Sequence, residues 1–278
     1  MREDAAVEER TAEKDSASAT SAAGPALRNQ RIIVTGAGSG IGAATARVAA
    51  AQGAAVAAAD IDGEAAEQVA GEIRAAGGTA AGLAVDVSEE AQVQRMFAEA
   101  AAQLGPITGV VNNAGIIVTK LLVETTQEDW DRCLDINARG VFFGCKHAVL
   151  HFREHGVQGS IVNTGSISAL TGQHRQAAYA ASKGAVVQLT RQVAVEHAAE
   201  GIRCNSVGPG SVHSAVLESF LGGQDDPAAA ERRLAETHPM HRIGHAEEIA
   251  AANCFLVSPA ASFITGANLQ ADGGYTAA

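Results

Sequence analysis

The sequence predicts an α/β fold, a doubly wound parallel sheet of about seven strands with helices on both faces. Three observations carry this. From Arg31 onward short apolar runs alternate with longer stretches of helical spacing, the pattern of βαβ units. The first apolar run leads straight into a glycine-rich turn. No strong linker and no internal repeat interrupts residues 31–278, so one domain is the simplest account of 27–278.

The strands are expected at Arg31–Thr35, Ala54–Ala59, Ala80–Val85, Ile107–Val111, Ser160–Asn163, Ile202–Ser206 and Ala267–Gln270, each short and apolar as a strand buried on both faces should be. Between them helical spacing covers Ile41–Gln52, Glu64–Ala76, Glu89–Leu104, Gln127–His155, Gln176–Glu200 and Ala246–Val257. The Gln127–His155 stretch reads as two helices broken near Asn137–Gly140. The long stretch Gly208–Gly244 reads as irregular. It holds an apolar cluster (Val216, Leu217, Phe220, Leu221) and a polar one (GGQDDP), which suits a substrate lid near 208–244.

The chain has 278 residues, 47% hydrophobic and 18% charged, a globular balance. Its net charge of −11 repels polyanions and anionic membrane surfaces, so neither nucleic acid nor membrane is an expected partner. No apolar run reaches the length of a membrane span. The four cysteines show no C-x-x-C pair, which reads as reduced thiols in a cytoplasmic protein. Residues 1–26 mix acids and bases with Ala and Ser, without the apolar core of a secretory signal, and read as a flexible tail.

Directly after the first strand, Gly36, Ser39, Gly40, Ile41 and Gly42 belong to a turn that runs into a helix. Glycines there let the backbone approach a pyrophosphate, and the helix start offers free N–H groups to an anion. The second strand ends in Asp60, where a carboxylate accepts bonds from both hydroxyls of an adenosine ribose and repels a 2′-phosphate. No Arg or Lys stands in the turn or just after Asp60, so the expected cofactor is NAD rather than NADP. A bland role for Asp60, capping the next helix, falls equally well to Asp62.

Tyr179 and Lys183 lie four apart in a predicted helix, which puts phenol and ammonium on one face. An adjacent cation favours a phenolate and makes tyrosine usable as a general acid/base. Ser166 follows the fifth strand at the edge where ligands bind in open parallel sheets, with Ser168 as a neighbouring rival. Asn137 falls at the suspected helix break, where its amide can hold a water or a backbone group.

Together these residues resemble the short-chain dehydrogenase/reductase family. Thr35 to Gly42 is similar to its T-G-x-x-x-G-I-G signature, Asn112-Asn113-Ala114-Gly115 to its N-N-A-G motif, and Asn137, Ser166, Tyr179 and Lys183 to its catalytic set in order and spacing. Asp86-Val87 resembles its adenine-contacting pair, and Pro209-Gly210 with Val212 and Ser214 its loop beside the nicotinamide, with Gly208 and Ser214 mild departures. The resemblance spans about Arg31 to the end. It implies a Rossmann-type fold and NAD(H)-dependent interconversion of a secondary alcohol and a ketone. Tyr179 would exchange the proton, Ser166 polarise the oxygen, Lys183 hold the nicotinamide ribose and lower the tyrosine pKa, and Asn137 support a relay water. Asn113, Ala114 and Gly115 would join the cofactor residues. It also implies a homo-oligomer, dimer or tetramer.

Two other readings share the pattern: a 3-oxoacyl-carrier-protein reductase using NADPH, opposed by Asp60, and a non-catalytic dinucleotide sensor, opposed by the complete set of four. His147, His151 and His155 recur every fourth residue, and read as a polar face or subunit contact rather than a metal site. His238, His241 and His245 read as surface turns or substrate contacts, and Trp130 as packing. The substrate loops are expected at Ile116–Leu122, Ile167–Gln176 and Val212–Arg242. Their mixture of apolar side chains with Gln173, His174 and Arg175 suits a moderately apolar alcohol with a polar group.

Overall fold

Seven parallel strands form one sheet in the order β3-β2-β1-β4-β5-β6-β7. The structure is a computed structural model that describes residues 26–222 and 226–278; all but the last residue of the expected tail, and part of the GGQDDP cluster, lie outside them. The strands are β1 (Arg31–Thr35), β2 (Ala55–Asp60), β3 (Thr79–Ala84), β4 (Gly109–Asn112), β5 (Ser160–Thr164), β6 (Arg203–Pro209) and β7 (Asn268–Ala271). Each expected strand is present with its ends shifted by at most a few residues. The strand order reverses between β1 and β4, which pair Ile32 with Gly109 and Val34 with Val111. That reversal opens a crevice at the strands' carboxyl ends, the usual place for a ligand in such sheets.

The helices are α1 (Gly40–Ala51), α2 (Gly63–Ala75), α3 (Glu90–Leu104), α4 (Gln127–Leu134), α5 (Gly140–His155), α6 (Ala177–His197), α7 (Ala215–Gly222), α8 (Pro227–Glu236) and α9 (Ala246–Val257). Successive strand residues point to opposite faces, and both faces are covered. Ile32, Val34, Val56, Val111, Val162 and Val207 pack in one core with α1, α2 and α9. Ile33, Ala57, Val110 and Ile161 pack in the other with α3, α5 and α6. This explains why the strands read as continuous apolar runs rather than alternating ones.

Three expectations need correction. The break at Asn137–Gly140 is no break: Asp135–Arg139 form a π-helical turn that joins α4 to α5. One extra residue per turn re-aims a side chain inward without ending the helix, and such bulges recur at functional sites. The stretch Gly208–Gly244 is not irregular, because α7 and α8 occupy much of it and β6 runs on to Pro209. The helix start at Asp226-Pro227 was disguised by its turn-like composition; Asp226 caps α8 by accepting from Ala229 N at 2.9 Å, and proline suits the first helical position.

The histidine stripe on α5 is the third. His147 and His151 are buried within the chain rather than presented as an outer face. His151 Nε2 accepts from the backbone N–H of Ile107 at 2.9 Å, just before β4, and burial pushes its pKa down to about 4. His147 meets Glu90 at 3.2 Å, and His155 stacks on His151 at 4.1 Å. Among the described residues no group of three or more His, Cys, Asp or Glu converges as a metal site requires. Trp130, expected to pack, is 41% exposed.

Candidate active site

The glycine-rich turn is shaped by contacts that a Cβ would forbid. On Gly42 an added Cβ would lie 2.0 Å from the Gly36 carbonyl oxygen, and on Gly36, at φ +64°, it would lie 2.8 Å from Ala114 Cα. The turn is thus folded tightly against the end of β4. Thr35 makes the join: its hydroxyl accepts from Asn113 N at 3.0 Å and Ala114 N at 3.1 Å, while Asn113 Nδ2 donates back to Thr35 O at 3.0 Å. Asn113 therefore faces the protein with its amide nitrogen, a bracing role its motif did not reveal.

The first N–H groups of α1, from Gly40 to Gly42, have no partner within the helix, and the Ser39 side chain at its N-cap does not cap them. Space above Gly40 is open, its nearest neighbour being Ser214 Cβ, 3.6 Å from where a Cβ would stand. A cradle of unpartnered donors with glycine clearance fits the diphosphate of a dinucleotide. Asp60 closes this end. Its carboxylate accepts from Gly38 N at 2.8 Å and Asp62 N at 3.0 Å, leaving each oxygen room for a further donor. The capping of α2 falls to Asp62, which accepts from Glu64 N and Ala65 N. The next pocket is lined by Ile61, Asp86, Asp131, Asp135 and Ile136, with the Asp86 carboxylate held by Ser88 N at 2.9 Å and Ser88 Oγ at 2.6 Å. Val87 lies against Gly140.

Across the crevice, α6 presents Tyr179 and Lys183. Lys183 is buried, its Nζ donates to Thr164 O at 2.7 Å at the end of β5, and it lies 5.7 Å from the centre of the Tyr179 ring. Burial lowers its pKa to about 8. Burial also raises the Tyr179 phenol above its ordinary value, and the neighbouring Ser166 hydroxyl offsets only part of this. In the protein by itself the desolvation of the phenol outweighs any lowering by Lys183, whose ammonium bonds the Thr164 carbonyl. Ser168 drops out as a rival to Ser166. Its hydroxyl bonds Gln176 Oε1 at 2.9 Å, and its backbone N–H donates to Ser166 Oγ at 3.0 Å.

Asn137 holds backbone rather than only ending a helix. It is fully buried; its Oδ1 accepts from Ile116 N and its Nδ2 donates to Ile116 O, both at 2.8 Å. The same Nδ2 donates to Ser182 Oγ at 3.0 Å, and Ser182 Oγ donates to Tyr179 O at 2.7 Å. Ser182, with Cys133 packed behind it, was not singled out in the sequence. It joins the π turn to the helix turn that bears Tyr179. Gly115 sits beneath, since a Cβ there would lie 3.1 Å from Asn137 Oδ1 and 3.6 Å from Lys183 Nζ.

The loop after β6 completes the rim. Gly210 N donates to Ala271 O at 3.2 Å, and a Cβ on Gly210 would stand 2.8 Å from His238 Nε2. His238, expected in a surface turn or a substrate contact, is buried; its Nε2 accepts from Ser211 N at 3.1 Å, and its Nδ1 lies 2.9 Å from Leu234 O. The two loops after β4 and β5 touch through a bridge of Lys120 and Gln176, and Val212 bridges Gly244 at the base of the third.

A family model described as Enoyl-(Acyl carrier protein) reductase matches residues 36–276. The chain is 40% identical over 252 residues to 2-(S)-hydroxypropyl-CoM dehydrogenase 3 of Xanthobacter autotrophicus, covering 90% of this chain and 98% of the relative. The chain belongs to the short-chain dehydrogenase/reductase family. A second Xanthobacter autotrophicus protein, named an inactive 2-(S)-hydroxypropyl-CoM dehydrogenase 2, is 46% identical over 84% of this chain and 99% of its own. The meso-2,3-butanediol dehydrogenase of Serratia marcescens is 40% identical over 90% and 95%. Among solved structures, levodione reductase superposes with a TM-score of 0.86 at 35% identity, covering 90% of this chain and 99% of that one. A structure from Agrobacterium tumefaciens with bound NADP superposes with 0.83 at 33% identity, covering 91% and 99%. The family's fold and its oxidoreductase chemistry on CH–OH groups are therefore those of this chain.

Proposed function

We propose that this member is an NAD(H)-dependent enzyme interconverting a secondary alcohol and a ketone, with Tyr179 as general acid/base. The observation that carries the reading is the meeting of Tyr179, Ser166 and Lys183 at the carboxyl edge of the sheet, on the same side as the glycine-rich cradle. An oxidised nicotinamide, when bound, would supply the acceptor for the hydride of the carbinol carbon. Ser166 Oγ holds the substrate oxygen. Tyr179 takes its proton in oxidation and returns it in reduction. Lys183, fixed by the Thr164 carbonyl, would hold the nicotinamide ribose, and Asn137, which holds the Ile116 backbone, would support a relay water. NAD is favoured over NADP by Asp60 at the end of β2, with exposed Ile61 offering no positive charge to a 2′-phosphate.

Residues 27–278 act as one dinucleotide-binding and catalytic unit, with α7 and α8 as a lid over a small alcohol or ketone. Exposed Phe142 and Leu150 on α5 and Val195 on α6 support self-association as a dimer or tetramer. The names of the relatives, alcohol dehydrogenases in the main, support the reaction class.

The test is titration with each dinucleotide, then an absorbance screen of secondary alcohols and their ketones. Tyr179→Phe removes the exchangeable proton and little volume, so turnover should fall about 100- to 10,000-fold with dinucleotide affinity retained. Turnover near the wild-type rate would defeat the mechanism.

A further inference from the structure

We infer that His238 is a positioning residue for the bound dinucleotide: its imidazole ties the end of α8 to the loop 209–214, which crosses the crevice. This rests on the proposed dinucleotide site and adds a residue beyond the cradle, Ser166, Tyr179, Lys183 and Asn137. The path of the loop gives it this importance. It leaves β6 beside the end of β5, where Val207 pairs with Thr164 and Val207 O accepts from Gly165 N at 2.7 Å. The Thr164 carbonyl there holds Lys183 Nζ. The loop ends at Ser214, whose Cβ lies 3.6 Å from where a Cβ on Gly40 would stand. It thus runs from the anchor of Lys183 to the first turn of α1, and a dinucleotide that reaches from the cradle to Lys183 passes along it.

Backbone partners hold much of this loop. Gly210 N donates to Ala271 O at 3.2 Å, His213 N to Gly244 O at 3.0 Å, and Ser211 O accepts from Gly244 N at 2.9 Å. Ser211 N is held differently, by a side chain: it donates to His238 Nε2 at 3.1 Å. An accepting Nε2 leaves the ring proton on Nδ1, which lies 2.9 Å from Leu234 O in the last turn of α8, an oxygen that only accepts. The Thr237 hydroxyl, 3.2 Å from Nδ1, gives its own proton to Leu234 O, so it does not reverse this assignment. Both ring nitrogens are therefore committed, one to α8 and one to the loop.

The ring is also wedged. It is 2% exposed, and a Cβ on Gly210 would lie 2.8 Å from its Nε2 and 3.0 Å from Asp272 Cα. Gly210 is thus the residue that lets the imidazole reach its neighbour's N–H. The Tyr275 ring packs 5.3 Å from the imidazole, and a Cβ on Gly273 would stand 3.5 Å from His238 Cβ. Without the acceptor, the Ser211 N–H must turn toward water to find a partner, and the backbone on the way to Ser214 turns with it.

The test titrates the full-length protein calorimetrically with NAD and NADP, continuing with whichever the wild type binds more tightly, and with AMP, which lacks the nicotinamide half. His238→Phe keeps the bulk of the ring and loses both bonds. His238→Asn keeps a donor where Nδ1 stands, whereas His238→Gln keeps an acceptor that reaches the Nε2 position. The Phe and Asn variants should weaken the dinucleotide roughly tenfold or more with AMP changed less than about twofold, and the Gln variant should stay within about threefold of wild type. Because the ratio of the two affinities is internal to each variant, an unfolded fraction cancels, and a merely structural tie would lower the unfolding midpoint and leave the ratio alone. A ratio unmoved in the Phe and Asn variants, or a Gln variant as impaired as Phe, overturns the role of His238. A wild type that binds neither dinucleotide overturns instead the site on which the inference stands.

Discussion

Asp60 offers the most decisive test of the cofactor assignment. Replacing Asp60 by Ala and Ile61 by Arg removes a carboxylate from the cradle and adds a cation at an exposed position. Two bonds from Gly38 N and Asp62 N are lost, but both groups lie near solvent, so the cost to the fold should be about 1–2 kcal/mol. The cost to NAD is larger. Two ribose hydroxyls that bond a charged acceptor would lose about 1.5 kcal/mol each, or about 3 kcal/mol together, roughly a hundredfold in KM. For NADP, repulsion disappears and an Arg–phosphate contact of about 1–2 kcal/mol appears, a further tenfold. The ratio of kcat/KM for NAD over NADP should therefore fall about a thousandfold. Steady-state kinetics with both dinucleotides, on wild type and variant, reads this directly. A change smaller than tenfold, or a wild type that already prefers NADP, refutes the assignment of Asp60.

Ser182→Ala leaves the second Asn137 N–H with the weak acceptor Cys133 Sγ, at 3.5 Å, as partner. The buried donor should cost about 1–3 kcal/mol in denaturant unfolding, and kcat should fall about tenfold while the KM for dinucleotide holds; equal effects on both constants would contradict a positioning role. Lys183, with its pKa lowered to about 8, loses charge as pH rises through that value. The KM for NAD should accordingly rise above pH 8 in the wild type and stay level in Lys183→Arg, whose guanidinium remains charged. His151, with a folded pKa of about 4, is held neutral by burial, so its contribution is present above pH 6.5 and is lost as pH falls toward 4. That loss reaches about 3 kcal/mol in urea titrations across this window, and His151→Gln, which keeps an acceptor for the Ile107 N–H, should flatten the slope.

Where the chemistry requires neighbours in sequence, the site could be read before it was seen. The proposed phosphate cradle needs glycines within one turn, and Tyr179 with Lys183 needs one helix face. The sequence left the helix cap open between Asp60 and Asp62, and the structure gives it to Asp62. Contacts between distant segments left no such mark. The bond from Asn137 to Ser182 spans 45 positions, and that from Gln173 to Tyr275 spans 102. Neither spacing obeys a helix or strand period. The misreadings share a cause as well. A polar residue among apolar ones reads as a break or a surface feature, whereas Asn137 is turned inward by a π bulge, and His151 and His238 are buried with backbone partners.

Those buried polar groups have a common purpose. The carboxyl ends of the strands leave loops whose backbone donors and acceptors have no sheet partner, and a functional rim must keep these ordered without filling the crevice. Side chains on the surrounding elements do so from behind: Thr35 and Asn113 tie the glycine-rich turn to β4, Asn137 clasps Ile116, and His238 clasps Ser211. Each of these clasps is satisfied from within the protein. The first N–H groups of α1 stay open to a ligand, and the phenol of Tyr179 lies beside Ser166. The first is the proposed seat of a diphosphate and the second that of a reacting oxygen, which is why dinucleotide and substrate are argued from the same arrangement.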